Sequence, residues 1–289
     1  MPPRLICVAI MLLWAFASVA LFRRDILPNL LAEPPPDLRT IAQAEADARP
    51  TRWTIQAIDE SDPSNPRAVG EAVTQATRKR DGWYAMTSTS WVDSGELLRG
   101  TAFQSASGGG GERVEVGGEF DIDPSGNLDH FRAWVRPADG SHHDLLTLSG
   151  KVKNGGLAVQ ARGPLPMMTW TQTFPYQPRG VVQANLGPLE RMPGLRVGQR
   201  WETRVVSPLT GRVETGRVEV TRRFATTWDG NPVSTLEVVT RMGAITTRTW
   251  VRPLDGLVLR QEVPFGFVKL VLERVPDDPS PTPREGPTR

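Results

Sequence analysis

The sequence predicts an all-β domain folded as an antiparallel meander and preceded by one N-terminal transmembrane helix. Three observations predict it. Between Thr51 and Val275 nearly every segment alternates apolar and polar residues with period two. Gly, Pro or Asp fills the gaps between these segments, at a spacing of about ten residues. Ahead of them, Leu5 to Phe22 is an apolar run of 18 residues without a charge.

The run makes about 27 Å of helix, close to the roughly 30 Å of a bilayer's hydrocarbon core. Arg4 and Arg23-Arg24 bound it. A cleaved signal peptide is the rival reading, with Ala15-Phe16-Ala17 as a small-x-small site. The run continues past that site through Val19, Leu21 and Phe22 to a basic stop, which favours an uncleaved anchor. The flanking charges balance, so they assign no orientation. A long domain translocates largely regardless of them, and the domain is placed outside the cytoplasm.

Residues 1–24 are therefore read as anchor or signal segment, and 25–50 as a linker. In the linker Pro34-Pro35-Pro36 is stiff, Leu38 to Ala48 reads as a short helix, and Arg49-Pro50 ends it. Residues 51–275 form the β-domain, with sub-halves 51–174 and 186–275. The Pro-rich tail 276–289 has too little apolar surface to order itself.

Within the domain, Arg52 to Ile58 opens the strand series. Ala72–Lys79 and Gly82–Trp91 follow, joined through Arg80-Asp81-Gly82, where glycine supplies a positive φ. Glu112–Ile122 and Leu128–Val135 flank the turn Asp123-Pro124-Ser125-Gly126-Asn127. Leu145–Val152 and Leu157–Arg162 flank Lys153-Asn154-Gly155-Gly156, a strong two-residue hairpin signal. In the second half Val218, Val220, Leu236, Val238, Ile245, Val251, Leu257, Leu259, Leu270 and Leu272 fall on one face. The alternate positions are charged, including Arg217, Glu219, Glu237, Arg248, Arg260, Glu262 and Glu273, and are expected to be solvated. Trp250 is expected on that outer face, stacked with Arg248 and Arg252. Trp134-Val135-Arg136-Pro137-Ala138-Asp139-Gly140 matches Trp250-Val251-Arg252-Pro253-Leu254-Asp255-Gly256 in layout, which raises two related halves as an option.

Composition narrows the function classes. A chain with 39% hydrophobic residues, 27 glycines and 26 prolines is neither collagen, coiled coil, polytopic membrane protein nor wholly disordered. Cys7 is the only cysteine, so no internal disulfide and no multi-cysteine zinc site can form. Residues 25–150 hold 11 Lys+Arg against 20 Asp+Glu, and residues 151–275 hold 18 against 9. The acidic half would repel phosphates, so the high pI does not imply nucleic-acid binding. Two halves that neutralise each other account for the asymmetry; a basic face toward an anionic membrane is the alternative.

Catalytic and metal signatures fail in turn. No G-x-S-x-G, H-E-x-x-H or Walker loop occurs. Gly108 to Gly111 precedes Glu112, where a phosphate loop needs lysine, and reads as a hairpin tip. His142-His143-Asp144 with His130 is the only imidazole cluster, and Asp129 or Asp139 would have to join it to hold a metal. Adjacent strand residues point to opposite faces, so a solvated turn is the better reading. Asp121 and Asp123 share a strand face and read as a charged rim rather than an acid–base pair. No catalytic residue, metal ligand or cofactor is predicted, and the chain is not expected to be an enzyme.

The run Gly194-Leu195-Arg196-Val197-Gly198-Gln199-Arg200-Trp201, then Ser207-Pro208, then Thr249-Trp250-Val251 and Asp255-Gly256-Leu257-Val258-Leu259-Arg260 resembles a bacterial extracytoplasmic β-domain. That domain is found ahead of transglutaminase-like domains. It is similar in turn to the unclosed β-barrels of lipoprotein-localisation carriers, which cup an acyl chain. The resemblance covers 186–275 well and 51–165 in outline, and it implies an unclosed or half β-barrel. A transglutaminase-like catalytic domain needs a Cys nucleophile with His and Asp, and no cysteine follows Cys7.

Together these readings predict a membrane-tethered, extracytoplasmic, non-catalytic binding or scaffold module at the bacterial inner membrane. It would pass the membrane once, with its domain facing the periplasm or cell exterior. Its partners would be the membrane through Leu5 to Phe22, and a lipid or an envelope protein. An accessory role in a transglutaminase-like system and a hydrolase are the alternatives. For an apolar ligand, Trp170 and Trp201 are the candidate binding residues, because they flank the Pro-rich crossover Phe174 to Pro193 expected at an open mouth. A filled interior would favour a scaffold, and an open cup of about 300 Å³ or more would favour a ligand carrier.

Overall fold

The computed structural model describes residues 38–46, 49–59, 61–97, 113–139, 144–164, 166–176, 190–206, 213–266 and 268–276. The anchor, the glycine tip, His142-His143, most of the crossover and nearly all of the tail lie outside them.

Helix α1 (Leu38–Glu45) leads into the first meander. Its strands are β1 (Thr51–Asp59), β2 (Arg67–Arg78), β3 (Tyr84–Asp93), β4 (Arg113–Ile122), β5 (Leu128–Pro137), β6 (Leu146–Lys153), β7 (Gly156–Arg162) and β8 (Trp170–Pro175). A one-turn helix, α2 (Ser94–Leu97), follows β3. The second meander runs through β9 (Arg200–Val206), β10 (Val213–Trp228), β11 (Asn231–Met242), β12 (Ile245–Val251), β13 (Val258–Phe265) and β14 (Val268–Arg274). All described strands form one 14-stranded sheet in the order β8-β7-β6-β5-β4-β3-β2-β1-β14-β13-β12-β11-β10-β9. Every neighbour that is local in sequence pairs as a hairpin. The exception is β1 with β14, which joins the two ends of the domain from Trp53↔Arg274 to Asp59↔Val268. The edges are β8 and β9, so the sheet is unclosed.

Turn chemistry produces the hairpins. Asn154 and Gly155 take φ of 52° and 74° between β6 and β7, the left-handed pair that matches strand twist. Asp123 Oδ1 accepts from the Ser125 and Asn127 amides at 2.8 and 2.9 Å and folds the β4–β5 turn around itself. Strand β2 starts at Arg67, earlier than the alternation beginning at Ala72 suggested, because β1 pairs with it as far as Ala57↔Arg67 across a bulge.

Among the described residues three apolar clusters result. The first joins β1 and β2 to the second meander through Trp53, Ile55, Val218, Val220, Leu236, Val238 and Val251. The second lies under β5 to β8 around Phe131, Leu148, Val159 and Phe174. The third seats Ala42 of α1 against Tyr84 and Ile122. Each fully buried aliphatic is worth roughly 1.5–3 kcal/mol, so these clusters decide the fold over the exposed ion pairs at about 0–1 kcal/mol each.

The predicted inner stripe holds for Val218, Val220, Leu236, Val238 and Val251, all in the first cluster. Leu257 and Leu259 are a correction: a bulge in β13 puts Val258 opposite Val251 in that cluster. Leu259, though buried, lines a depression on the charged face beside Trp250 and Arg260. Ile245 is a correction: it starts β12 at the hairpin end, beyond the cover of its neighbours, and is 43% exposed. The outer face also differs from expectation, since Glu237, Glu262 and Val271 are buried. Long arginines lie flat over them and bond as they do so. Arg222 Nε donates to Glu237 at 2.9 Å, and Arg260 bonds Glu262 and Glu273 at 2.8 Å each. Trp250 stacks with Arg260, 5.4 Å from its ring centroid, rather than with Arg248 or Arg252. The register sets this partner: Arg260 stands directly opposite Trp250 across β12–β13. The two matching tryptophan strands, β5 and β12, stand seven places apart in strand order.

Candidate functional site

The register puts a row of small and branched residues on the concave face. Val135 stands opposite Val116, and Val116 opposite Ser90. A second row runs from Val114 to Val92, Gly70, Ile55, Leu272 and Gln261. Beside it Leu270 faces Val263. Side chains opposite one another share a face, so these rows form one wall across β5, β4, β3, β2, β1, β14 and β13.

That wall curls around a hollow. Val135 on β5 and Val263 on β13 line the same cavity, although five strands lie between theirs. A flat sheet would hold them about 29 Å apart at about 4.8 Å per strand. The sheet must therefore curl, and the cavity is the hollow of the curl. Its volume is about 450 Å³. Branched residues on successive inner positions favour that curl, and β2 keeps Gly70, where a Cβ would strike the Trp91 carbonyl.

Helix α2 reaches the rim and adds Ser94 and Leu97 to the lining. Asp93 caps it, its Oδ1 accepting from the Glu96 amide at 3.0 Å. Arg67 Nη1 donates to the Glu96 carbonyl at 3.0 Å, tying α2 to the start of β2. Val92, Leu97, Leu270 and Leu272 are only partly buried against the first cluster and present their remaining surface to the cavity.

The described lining is aliphatic or aromatic except for Ser90, Ser94 and Gln261. Gln261 is 7% exposed, and its Oε1 has no hydrogen-bond partner. Leaving such an acceptor unsatisfied costs about 1–3 kcal/mol. The sequence reading missed Gln261, yet a signal was there. It occupies the inner position between Leu259 and Val263, where the alternation asks for an apolar residue.

Other depressions among the described residues include charged side chains in their linings. One of about 520 Å³ over β5 to β8 includes His130, Arg132 and Lys151 in its lining. Another of about 300 Å³ lies by Trp228, Trp250, Arg260 and Arg274 on the charged face.

The predicted ligand tryptophans lie elsewhere. Trp201 stands opposite Val218 on β9 and is buried in the first apolar cluster. Trp170 stands opposite Ala161 on β8 and packs half-buried on the second. Neither lines the 450 Å³ cavity. The described end of the crossover pairs with the β12–β13 hairpin: the Met192 amide donates to the Gly256 carbonyl at 2.7 Å, and the Val258 amide to the Glu190 carbonyl at 2.9 Å. Gly256, at φ 72°, has Pro193 where a side chain would go.

The polar candidates are used structurally. Asp121 is buried, not a rim residue, and receives Lys79 Nζ at 2.6 and 2.7 Å with His130 Nε2 at 3.2 Å. Asp123 is occupied by its own turn, and His130 Nδ1 also lies 3.0 Å from Asp129. Asp139 is an exposed residue beyond β5, and Asp144 pairs with Arg132 at 3.1 Å. No group of three His, Cys, Asp or Glu among the described residues is arranged to hold a metal. No helix of the described residues is long and apolar enough to cross a membrane.

No protein-family model matches the chain, and no curated protein matches it in sequence. Among solved structures it is similar to a β-barrel-like protein of a domain of unknown function, DUF1849, from Brucella abortus. The two share 12% identity with a TM-score of 0.47, over 78% of this chain and 96% of the other. None of these comparisons links the chain to transglutaminase-like proteins.

Proposed function

We propose that this chain is a membrane-tethered, non-catalytic binding module whose β-domain holds an apolar ligand in the hollow between β5 and β13. The observation that carries the reading is the cavity itself, about 450 Å³ and lined mainly by valine, leucine and isoleucine. That volume falls within the range of about 300–1,000 Å³ usual for small-molecule sites. A domain that served only as a scaffold would gain stability by packing those side chains against one another. Keeping them apart is a cost that ligand binding offsets.

The tether part of the proposal is supported by the apolar run Leu5 to Phe22, which would hold the domain outside the cytoplasm at an inner-membrane surface where apolar ligands partition. The non-catalytic part is supported by the use of Asp121 in ion pairs and of Asp123 in a turn.

The test is titration of the chain with the neutral fluorophore N-phenyl-1-naphthylamine. Saturable binding of one equivalent, reversed by an apolar competitor, is the expected result. A signal that rises without saturation, or that no competitor reverses, would overturn the proposal.

A further inference from the structure

We propose that the cavity selects a neutral single-chain amphiphile whose head group donates one hydrogen bond, and that Gln261 receives it. This rests on the reading of the cavity as an apolar ligand site and adds the chemistry of the ligand's head.

Gln261 carries the argument. It sits on β13 with Leu272 opposite on β14 and Thr249 opposite on β12. It is 7% exposed, it lines the cavity, and its Oε1 has no hydrogen-bond partner. Buried polar atoms are nearly always paired, so an orphan in a cavity wall marks a partner supplied from the cavity. Oε1 is itself buried in the wall, and the terminal amide torsion of glutamine is soft, so rotation about it is what brings the acceptor to a donor in the hollow.

The charge of the head follows from the rest of the wall. Among the described residues lining the cavity there is no Lys, Arg, His, Asp or Glu. An anionic head would enter an apolar space with no cation to pair it and would face the Gln261 acceptor. A hydroxyl or an amide N–H brings no charge and supplies the missing donor.

The volume sets the tail. An apolar cavity of roughly 150 Å³ takes benzene, so about three times that space holds on the order of a dozen or more carbon atoms. Ser90 and Ser94 leave the remaining wall nearly apolar, which suits a methylene chain.

The experiment is calorimetric titration of the full chain with three probes of one chain length: 1-decanol, decyl methyl ether and decanoate at neutral pH. Decanol is expected to bind about three- to tenfold more tightly than the ether, the factor of one net hydrogen bond. Decanoate is expected to bind more weakly than either. Gln261→Leu, which keeps the size and removes the acceptor, should bind the ether as before and lose the preference for decanol. Gln261→Met gives the same comparison if the leucine variant folds poorly. Equal binding of decanol and ether, tightest binding of decanoate, or a preference that survives both substitutions would overturn the head-group assignment while leaving an apolar site. Failure of all three probes to bind would overturn the apolar site as well.

Discussion

Ile55 on β1 stands directly opposite Leu272 on β14, and both line the cavity where the first and last strands of the domain meet. Ile55 is 3% exposed, while Leu272 is only partly buried beside the hollow. Ile55→Ala should therefore cost about 2–5 kcal/mol and Leu272→Ala clearly less. The residues touch, so the double variant should depart from additivity by about 0.5 kcal/mol or more. Urea denaturation of the four proteins checks this; equal costs with strict additivity would contradict the seam.

Gly150 on β6 lies under Phe131 of β5, and a Cβ there would enter the Phe131 ring. Phe131 is 2% exposed and packs in the second apolar cluster. Gly150→Ala should destabilise the domain by about 1–3 kcal/mol through overpacking. Phe131→Leu, damaging alone, should recover part of the loss when combined with it. Thermal unfolding of the single and double variants measures the recovery, and its absence would show that backbone freedom, not the ring, demands glycine.

Acid should weaken the outer face. Burial would raise the Glu237 carboxyl, but Thr221 Oγ1 at 2.8 Å, Arg222 and the nearby Arg248 outweigh it and hold the group below its ordinary value of 4.5. Glu115 is lowered in the same way, with burial opposed by Arg136 and Trp134. Bonds from Arg200 lower Glu219. A carboxyl depressed in the fold contributes stability that is complete above its unfolded value and lost as pH falls through the folded one. The melting temperature should stay level from neutral pH to about 5 and fall below it. Glu237→Gln should shallow that fall, and a melting temperature that rises on acidification would contradict the assignment.

Trp201 and Trp170 separate the core from the site. Trp201→Ala should cost about 3–5 kcal/mol, because the indole fills the first apolar cluster. Trp170→Phe, on a partly buried edge position, should leave affinity for an apolar ligand within about twofold. A loss of affinity larger than that in a folded Trp170→Phe protein would move the site toward β8.

The hairpins were legible because their causes are local. Asp81-Gly82, Asn154-Gly155 and the Asp123 turn announce themselves in a few residues. Period-two alternation placed Val218, Val220, Leu236, Val238 and Val251 in the core correctly, but it did not foresee the exposed Ile245 or the bulge at Leu259, and it names no partner strand. The β1–β14 pairing joins residues more than two hundred positions apart, so only the folded sheet reveals it. The cavity escaped for the same reason. Whether Val116 and Val263 pack together or stand apart depends on how far the sheet curls. Trp170 and Trp201 were named from their place beside the Pro-rich crossover, whereas in the fold they pack with the second and first apolar clusters. Gln261 was the readable clue, a polar residue breaking an apolar stripe.

Filling the hollow tests the central claim most directly. Val116→Phe and Val263→Phe each place a ring in the cavity from strands far apart in its wall, β4 and β13. If the cavity is a binding site, both variants should keep the fold, with stability unchanged or raised by about 0.5–2 kcal/mol. Their affinity for N-phenyl-1-naphthylamine should fall at least about tenfold, the effect of losing about 1.4 kcal/mol of binding. Wild-type affinity in both folded variants would contradict the account.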